Sequence, residues 1–258
     1  MFLQKVVQIK KEEISRKKTL GALKEMEEQI SHLPSARDLT EAVAKNRPLA
    51  LIAEIKRASP SAGLIQEGAD IEKMASQYQS GGACAISILT ESHFFHGHLS
   101  DLRLIKEKIS LPLLQKDFII DPFQIYEGRA AGADAVLLIA AILDREQLKD
   151  LVDLARSLHM VPLVEVYDER DVEKTLGLHL PLLGINNRDL NTLEVDLGTT
   201  LRLKGKIAPG VSVISESGIK SSLDVRLLKE AGVNGILVGE VLMRAPDPAA
   251  KIRELLDL

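Results

Sequence analysis

The chain of 258 residues has no tryptophan, one cysteine and only 3% aromatic residues. A single cysteine, Cys84, excludes a disulfide within these residues and a zinc site built from cysteines. Because Cys84 lies in an apolar run, we expect it to be a small buried core residue. So few aromatic side chains also argue against a platform on which nucleic-acid bases would stack.

The sequence also lacks a long hydrophobic run, since no apolar stretch approaches the roughly 20 residues that a membrane-spanning helix requires. Residues 10–18 mix basic and acidic side chains where a signal peptide would be apolar. A formal net charge of −4 argues against electrostatic binding of nucleic acid. We therefore expect a cytoplasmic protein with no membrane and no nucleic acid as its partner.

From residue 49 onward, short runs rich in Val, Ile, Leu and Ala alternate with charged segments of helical periodicity. This alternation is typical of strand–helix units around a parallel sheet. The predicted strands cover 49–56, 83–89, 111–118, 133–140, 161–167, 182–188, 211–217 and 235–239. Predicted helices include 70–79, 122–131, 144–158, 221–231 and 247–256. Several of these helices begin with Asp, Ser or Pro, which favour helix starts.

Eight strands with intervening helices predict an α/β fold, a (β/α)8 TIM barrel of the roughly 250 residues usual for that architecture. With 45% hydrophobic residues, the chain can bury a core of that size. A doubly wound open sheet is the alternative, but it would normally carry a glycine-rich loop after its first strand. Residues 57–60 read RASP there instead.

Residues 1–48 lie outside the alternation and predict two helices, one highly charged and one around 34–44, joined near Ser31. We expect 1–258 to be one barrel domain, with 1–48 as a helical extension and 49–258 as the barrel. The extension is expected to pack over the N-terminal or the active-site end of the barrel. A solvated helical tail is the alternative, because the charge density is high.

Polar residues end several predicted strands. Glu54 and Lys56 are two residues apart, so in an extended chain both side chains point to the same face as Ile52. Taken alone, the pair fits a salt bridge at a solvated rim better than a functional site. In a barrel, however, the carboxyl ends of all strands converge on one face. The other polar residues brought there are Lys116, Glu165, Asn186, Arg188 and Glu216.

Two lysines, several carboxylates, an amide and an arginine in one mouth can tune each other's protonation states. The repetition of charged strand ends exceeds what rim salt bridges would need. We therefore predict that Glu54, Lys56, Lys116 and Glu165 carry catalysis together.

Glycines follow the last two strands and predict an anion site. Ser217, Gly218 and Gly239 lie where a strand turns toward a short helix, and loops at these places in barrels commonly bind phosphate through backbone N–H groups. Glu240 is compatible with such a site if only its backbone faces the anion. Lys220 is interpreted as an ordinary solvated helix charge.

Three histidines, His93, His96 and His98, raise the question of a metal. The strand ends lack further histidines and carboxylates at the fixed spacing that would complete a ligand set. We predict no metal site and interpret this segment as a mobile loop after the second predicted strand.

With these positions assembled, the sequence resembles the indole-3-glycerol phosphate synthase family. The resemblance spans nearly the whole chain, including the helical extension, and its segments occur in the family's order. One departure is His98, where the family usually has a small hydroxyl residue after the glycine. The matching segments are 53–61 (AEIKRASPS), 114–119 (LQKDFI), 163–166 (LVEV), 184–190 (GINNRDL), 215–219 (SESGI) and 237–240 (LVGE).

The resemblance implies that 1-(2-carboxyphenylamino)-1-deoxyribulose 5-phosphate closes its ring and loses carbon dioxide and water, which gives indole-3-glycerol phosphate for tryptophan biosynthesis. It implies a carbon–carbon carboxy-lyase without cofactor or metal. Lys116 would be the acid of ring closure, and Lys56, Glu54 and Glu165 are the candidates for the acid and the base of dehydration. Asn186 and Glu216 would orient these groups.

The resemblance further implies the binding residues and a monomer or weak homodimer whose partner is a small phosphorylated substrate. The substrate-binding residues would be Ser59, Phe95, Phe118, Leu137, Arg188 and Leu190. The phosphate-binding residues would be Lys56, Ser217, Gly218, Gly239 and Glu240.

Two other functions remain open from the residues alone. A lysine near carboxylates in a barrel mouth also suits a Schiff-base aldolase-type lyase. A non-catalytic barrel could keep the mouth and only bind a phosphorylated ligand, because a fold does not imply turnover.

Overall fold

The computed structural model describes residues 2–19, 21–46, 48–66 and 68–258. The strands are β1 Ala50–Ile55, β2 Ala58–Ser59, β3 Gly63–Leu64, β4 Ala85–Leu89, β5 Leu113–Lys116, β6 Ala135–Ile139, β7 Val161–Val166, β8 Leu182–Asn186, β9 Ser212–Glu216 and β10 Gly235–Val238. The helices are α1 Phe2–Lys17, α2 Ala22–Ser31, α3 Leu39–Lys45, α4 Ile71–Gly81, α5 Ser100–Lys106, α6 Pro122–Ala130, α7 Arg145–Ser157, α8 Glu169–Thr175, α9 Gly198–Lys204, α10 Ser222–Glu230, α11 Glu240–Met243 and α12 Pro248–Leu256.

In the part of the chain described, eight parallel strands close a barrel in the order β1, β4, β5, β6, β7, β8, β9, β10. The barrel closes where β10 pairs with β1, with Ala50 opposite Gly235. β2 and β3 form a separate antiparallel pair in the loop after β1. The predicted (β/α)8 barrel is therefore confirmed, and the open doubly wound sheet is wrong.

Several helices outside the barrel begin where the sequence supplies a capping side chain. Asp121 and Asp144 each accept a hydrogen bond from a backbone N–H in the first turn of α6 and α7. In both helices a glutamine three residues later completes a capping box. Ser221 caps α10 in the same way with Asp224. These caps end each loop at a defined residue and so fix the lengths of the loops at the barrel mouth.

Neighbouring residues of each strand enter two different apolar cores, because successive side chains point to opposite faces. Leu51 faces outward and packs in the layer between strands and helices, while Ile52 faces the barrel interior. Both side chains are fully buried. Cys84 is buried with the interior residues as predicted, and burial raises the pKa of its thiol to about 12.

The prediction of two helices in the extension was wrong, since its described part contains three. Asp38 accepts hydrogen bonds from the backbone of Thr40 and Glu41, so α3 begins at Leu39 and not near residue 34. The charged segment is divided into α1 and α2, and Gly21 precedes α2 with a left-handed φ of 98°. A glycine adopts this backbone conformation without steric cost, which allows the chain to turn there.

The extension packs against both ends of the barrel and is not a solvated tail. At the N-terminal end, Arg37 donates to the carbonyl of Leu111 at 2.8 Å, and its backbone N–H donates to Asp134 at 2.8 Å. Leu39 and Val43 of α3 are buried with the interior core. At the C-terminal end, Lys10 of α1 pairs with a residue that follows β5. No helix among the described residues is both long and apolar enough to cross a membrane.

Lys10 is 5% exposed and anchors α1 above the barrel. Its ammonium group lies 2.9 Å from Asp117 and 3.0 Å from Glu13. Burial opposes the charge, but Asp117 and Glu13 outweigh it and raise the pKa of Lys10. Asp117 also accepts hydrogen bonds from the Thr90 hydroxyl at 2.7 Å and from the next backbone N–H. The buried carboxylate is therefore fully engaged only while α1 is docked.

We expect Lys10→Met to lower the free energy of unfolding by about 3 kcal/mol, because it leaves the buried Asp117 without its cation. Lys17→Met serves as the control, since Lys17 pairs with Glu127 at 3.1 Å but is 52% exposed. Its effect should be about 1 kcal/mol or less. Urea titration measures both, and equal effects would contradict the anchoring of α1 by Lys10.

Candidate active site

A cavity of about 700 Å³ opens at the carboxyl ends of the barrel strands. Every site residue predicted from the sequence lines it, so the barrel brings together positions that are far apart in the chain. Their individual roles remain predictions. These residues are Glu54, Lys56, Ser59, Phe95, Lys116, Phe118, Leu137, Glu165, Asn186, Arg188, Leu190, Glu216, Ser217, Gly218, Gly239 and Glu240.

Two strands end earlier than the sequence predicts, so two of these residues lie in loops. β5 ends at Lys116, because the carboxylate of Asp117 accepts the backbone N–H of Phe118 at 2.8 Å. β8 ends at Asn186, whose side-chain oxygen accepts the backbone N–H of Arg188 at 3.0 Å. In both places a polar side chain replaces the ladder partner and turns the chain. Phe118 and Arg188 therefore reach the cavity from loops.

Charged side chains form two ion-paired groups inside the cavity. The Lys56 ammonium lies 2.7 Å from Glu54. On another wall, the Lys116 ammonium lies 2.5 Å from Glu216 and 3.4 Å from Glu165. The side chains of all three glutamates are at most 4% exposed. The sequence-based alternative of a solvated rim salt bridge is therefore wrong for Glu54 and Lys56.

Glu54 and Lys116 stay charged, because the attraction between opposite charges outweighs the cost of burial. Burial would raise the pKa of Glu54, but the ammonium groups of Lys56 and Lys116 outweigh it and lower that pKa. Burial would lower the pKa of Lys116, but Glu216, Glu165 and Glu54 outweigh it and raise that pKa well above the usual value. Lys116 therefore stays protonated across the neutral range, and Glu54 stays ionised.

Glu216 differs from Glu54 in the direction of its pKa shift. Burial, with the negative charges of Glu165 and Glu54, outweighs the attraction of Lys116 and raises the pKa of Glu216 to about 7. Its Oε1 atom is buried and has no hydrogen-bond partner among the described residues. The Lys116 ammonium group thus pairs with two carboxylates, those of Glu165 and Glu216. Near pH 7 the site can gain or lose one proton at this cluster.

Glycines make room for two of the carboxylates. A Cβ atom at Gly184 on β8 would overlap Oε1 of Glu216. A Cβ atom at Gly239 would lie 2.5 Å from Oε1 of Glu54. Neither glycine has a left-handed φ, so backbone conformation does not explain them. Gly239 was predicted only as a phosphate-binding turn, and its space for Glu54 is a further function of this position.

Sequence reasoning missed several residues that line the cavity. Phe2 of α1 is one, and its ring centroid lies 5.2 Å from Phe94 and 6.2 Å from Phe118. Within the described residues, four of the five phenylalanines gather at this mouth, and Phe95 is the fourth. The scarcity of aromatic residues was the signal that could have identified Phe2. An aromatic side chain at the start of an otherwise charged helix indicates that this end of the helix packs against the protein.

Two basic residues also belong to the cavity rim. Lys220 was interpreted as a helix charge, but it precedes α10 and lines the cavity. Arg244 lines it as well and binds the carboxylate of Glu240 at 3.1 Å. The histidine segment lies near the mouth, where His93 Nδ1 is 2.9 Å from Glu13. Among the residues described, no group of three or more His, Cys, Asp or Glu side chains could hold a metal ion.

Comparison with known protein families assigns the chain to one of them. Residues 3–255 match the model of the family described as indole-3-glycerol phosphate synthase. The chain belongs to the indole-3-glycerol phosphate synthase family. The family resemblance inferred from the sequence segments is therefore confirmed.

Curated members of the indole-3-glycerol phosphate synthase family match along nearly their full length. A protein of that name from Desulforamulus reducens is 44% identical over 256 residues, which cover 99% of this chain and 97% of the relative. One from Carboxydothermus hydrogenoformans is also 44% identical, with 99% of this chain and 100% of the relative covered. The alignments therefore leave no large segment of this chain or of the two relatives unmatched.

Solved structures at lower identity share the fold alone. 3-Hexulose-6-phosphate synthase from Salmonella typhimurium has a TM-score of 0.63 at 18% identity, with 81% of this chain and 97% of that chain covered. Thiamine phosphate pyrophosphorylase from Pyrococcus furiosus has a TM-score of 0.60 at 17% identity, with 85% and 96% covered. Both likenesses support the barrel architecture found here for an indole-3-glycerol phosphate synthase family member.

We expect Gly184→Ala to lower the free energy of unfolding by about 2 kcal/mol, because the added methyl group collides with the buried Glu216 carboxylate. Gly205→Ala is the matched control, since among the described residues no atom lies within 4 Å of the added methyl group. That substitution should change stability by less than about 1 kcal/mol. Denaturant unfolding of both variants tests the difference, and an unaffected Gly184→Ala would refute the packing argument.

Proposed function

We propose that the chain catalyses the indole-3-glycerol phosphate synthase reaction as a carbon–carbon carboxy-lyase. The observation that carries this proposal is the pair of buried ion-paired groups on two walls of one cavity. They supply two ammonium groups and three carboxylates around a space that fits a substrate of this size. The substrate is 1-(2-carboxyphenylamino)-1-deoxyribulose 5-phosphate, and the products are indole-3-glycerol phosphate, carbon dioxide and water.

Ring closure needs an acid at the ketone oxygen of the substrate. The ring carbon that carries the carboxylate attacks the ketone carbon, and the ketone oxygen takes a proton as its negative charge develops. Lys116 is suited to this step because its raised pKa keeps it protonated in the free enzyme. An alkoxide is a strong enough base to remove that proton, and a fixed ammonium group also stabilises the developing charge.

Decarboxylation and dehydration complete the reaction without a cofactor. The bond to the carboxyl carbon breaks, and its electrons return to the ring, which becomes aromatic again. Dehydration then needs an acid for the departing hydroxyl group and a base for the proton on the neighbouring carbon. We assign the acid to Lys56, the second ammonium group of the cavity. The aromatic amine supplies the electrons that expel the hydroxyl group.

Glu165 is the better base of the two remaining candidates. It lies 3.4 Å from Lys116, so it is less tightly paired than Glu216 is at 2.5 Å. Glu54 is bound to Lys56 at 2.7 Å and has a lowered pKa, which weakens it as a base. Glu54 is therefore assigned to orient Lys56. Asn186 and Glu216 are assigned to orient Arg188 and Lys116, which they contact.

One end of the cavity is apolar and suits the aromatic ring of the substrate, and the other end offers groups that can bind its phosphate. We assign the anthranilate ring to the apolar wall formed by Phe95, Phe118, Leu137 and Leu190, with Arg188 for its carboxylate. The phosphate is assigned to Lys56 and to the backbone that follows β9 and β10. There, Ser217 and Gly218 both have left-handed φ values, of 66° and 82°, and backbone turns of this kind can direct successive N–H groups at an anion.

Two further assignments belong to the binding ends. Arg244 neutralises Glu240, so the carboxylate of Glu240 need not repel the phosphate. Ser59 is assigned to the substrate from the loop after β1. One chain supplies all of these groups, so the proposed site needs no residue from a partner subunit, and a monomer or weak homodimer of one domain over residues 1–258 is compatible with it.

A Schiff-base aldolase is disfavoured by the protonation of Lys116. Such an enzyme needs a neutral lysine amine, which requires a lowered pKa. The pKa of Lys116 is raised. Borohydride reduction in the presence of a keto substrate distinguishes the two chemistries, because covalent trapping on Lys116 or Lys56 would favour the aldolase.

Lys116→Met should lower kcat by about 100-fold to 10,000-fold, because it removes the general acid and leaves the apolar stem in place. Formation of indole fluorescence from the carboxyphenylamino-deoxyribulose phosphate measures turnover, and the absence of tryptophan keeps the protein background low. Lys149→Met, at an exposed site on α7, is the control and should retain wild-type kcat. Absence of turnover by the wild-type enzyme at micromolar concentration would refute the proposed function.

The wild-type kcat/KM should fall as the pH decreases through about 7, because protonation of Glu216 removes the charge that orients Lys116. Glu216→Gln should be slower and should lose this dependence. The raised pKa also means that the folded state binds a proton that the unfolded state releases between about pH 4.5 and 7. This group therefore stabilises the fold less as the pH rises through that window. An unchanged pH profile in Glu216→Gln would contradict the assignment.

A further inference from the structure

Glu91 is a buried carboxylate that the proposed chemistry does not use. It follows β4 by two residues and is 0% exposed. One of its oxygens accepts the backbone N–H of His93 at 2.9 Å. The other accepts the backbone N–H groups of Phe94 at 2.7 Å and Phe95 at 3.1 Å. Three successive N–H groups therefore point at a single side chain, which fixes the turn that they form.

The turn held by Glu91 carries two aromatic side chains of the substrate mouth. Phe95 lines the cavity, and its ring centroid lies 6.2 Å from Phe118. Phe94 packs edge-on against Phe2 at 5.2 Å, and Phe2 lines the cavity from α1. Glu91 itself is not among the described residues that line the cavity. Glu91 therefore positions other residues through the backbone groups to which it is hydrogen-bonded.

The far end of the same segment is fixed as well. The backbone N–H of Gly97 donates to the carbonyl oxygen of Glu91 at 2.8 Å. A Cβ atom at Gly97 would overlap the carbonyl group of Leu89, so the chain passes against β4 at this point. Between these two attachments, the direction of the Phe95 side chain is set by the hydrogen bonds to the Glu91 carboxylate.

We propose that Glu91 is a positioning residue that holds Phe95 against the aromatic end of the substrate. This inference rests on the proposed function. Three donors require both oxygens of a carboxylate, because a glutamine at this position offers one oxygen and turns an N–H group toward backbone N–H groups. Loss of these bonds releases the turn and widens the wall formed by Phe95 and Phe118. The chemistry at Lys116 is on other strands and is left in place.

Glu91→Gln should raise KM by about tenfold, because the released turn no longer holds Phe95 against the substrate. Its kcat should stay within about twofold of the wild type, because the reacting groups are unchanged. Asp171→Asn is the matched control. Asp171 is a buried carboxylate that accepts the backbone N–H of Tyr167 at 3.2 Å and is outside the described cavity lining. Both of its kinetic constants should stay within about twofold.

A double-mutant cycle with Phe95→Ala distinguishes positioning from general destabilisation. If Glu91 acts through Phe95, Glu91→Gln should add little to KM once Phe95 is removed. KM does not depend on the amount of folded enzyme, so partial unfolding does not imitate this result. Glu91→Asp replaces Glu91→Gln if the latter yields no soluble protein, and it should raise KM in the same way because its shorter side chain cannot reach all three donors.

The outcomes separate this inference from the function on which it rests. Wild-type enzyme without turnover would overturn both. Wild-type turnover with an unchanged KM in Glu91→Gln would overturn the positioning role alone. Effects of Glu91→Gln and Phe95→Ala on KM that multiply independently would also overturn it, because they would show that Glu91 does not act through Phe95.

Discussion

The ammonium group of Lys116, held between two buried carboxylates, is the interaction on which the rest of the site depends. Two carboxylates so close together would repel each other strongly in a low-dielectric interior, and a single cation cannot neutralise both. Burial and the neighbouring negative charges therefore raise the pKa of Glu216 to about 7. The same negative surroundings keep Lys116 protonated. One constraint therefore accounts both for the protonated state of Lys116 and for a pKa near neutrality at Glu216.

Barrel strands provide the rigidity that this charge arrangement requires. Lys116 and Glu216 end β5 and β9, and Glu165 is the penultimate residue of β7, so their backbones belong to one hydrogen-bonded sheet. Two of the groups proposed to bind the substrate, Phe118 and Arg188, come instead from loops just beyond their strands. The division follows the physical demands of each task. Charges in close contact tolerate little displacement, whereas a binding wall can be adjusted through loop sequence.

The barrel and the charged residues at its mouth could be predicted from the sequence, because they depend on the periodicity of apolar runs and on the residues that end the strands. Alternating apolar runs predicted the barrel, and closure of a barrel then brought Glu54 and Glu216 into one mouth. The extension was less predictable. Its three helices depend on the cap at Asp38 and on the turn at Gly21, which are weak signals in a charged segment. Phe2 was missed because the sequence cannot say which end of the barrel α1 covers.

The packing of the extension has a consequence for the order in which the molecule assembles. β1 pairs with β10, so the barrel cannot close before the strand at 235–238 has been synthesised. Lys10 pairs with Asp117, and Arg37 binds near Leu111 and Asp134, on opposite ends of the barrel. The segment that leaves the ribosome before the strands can thus dock only after them. Until then, the apolar side chains of α1 and α3 have no core to enter, and this early segment depends on later synthesis to cover them.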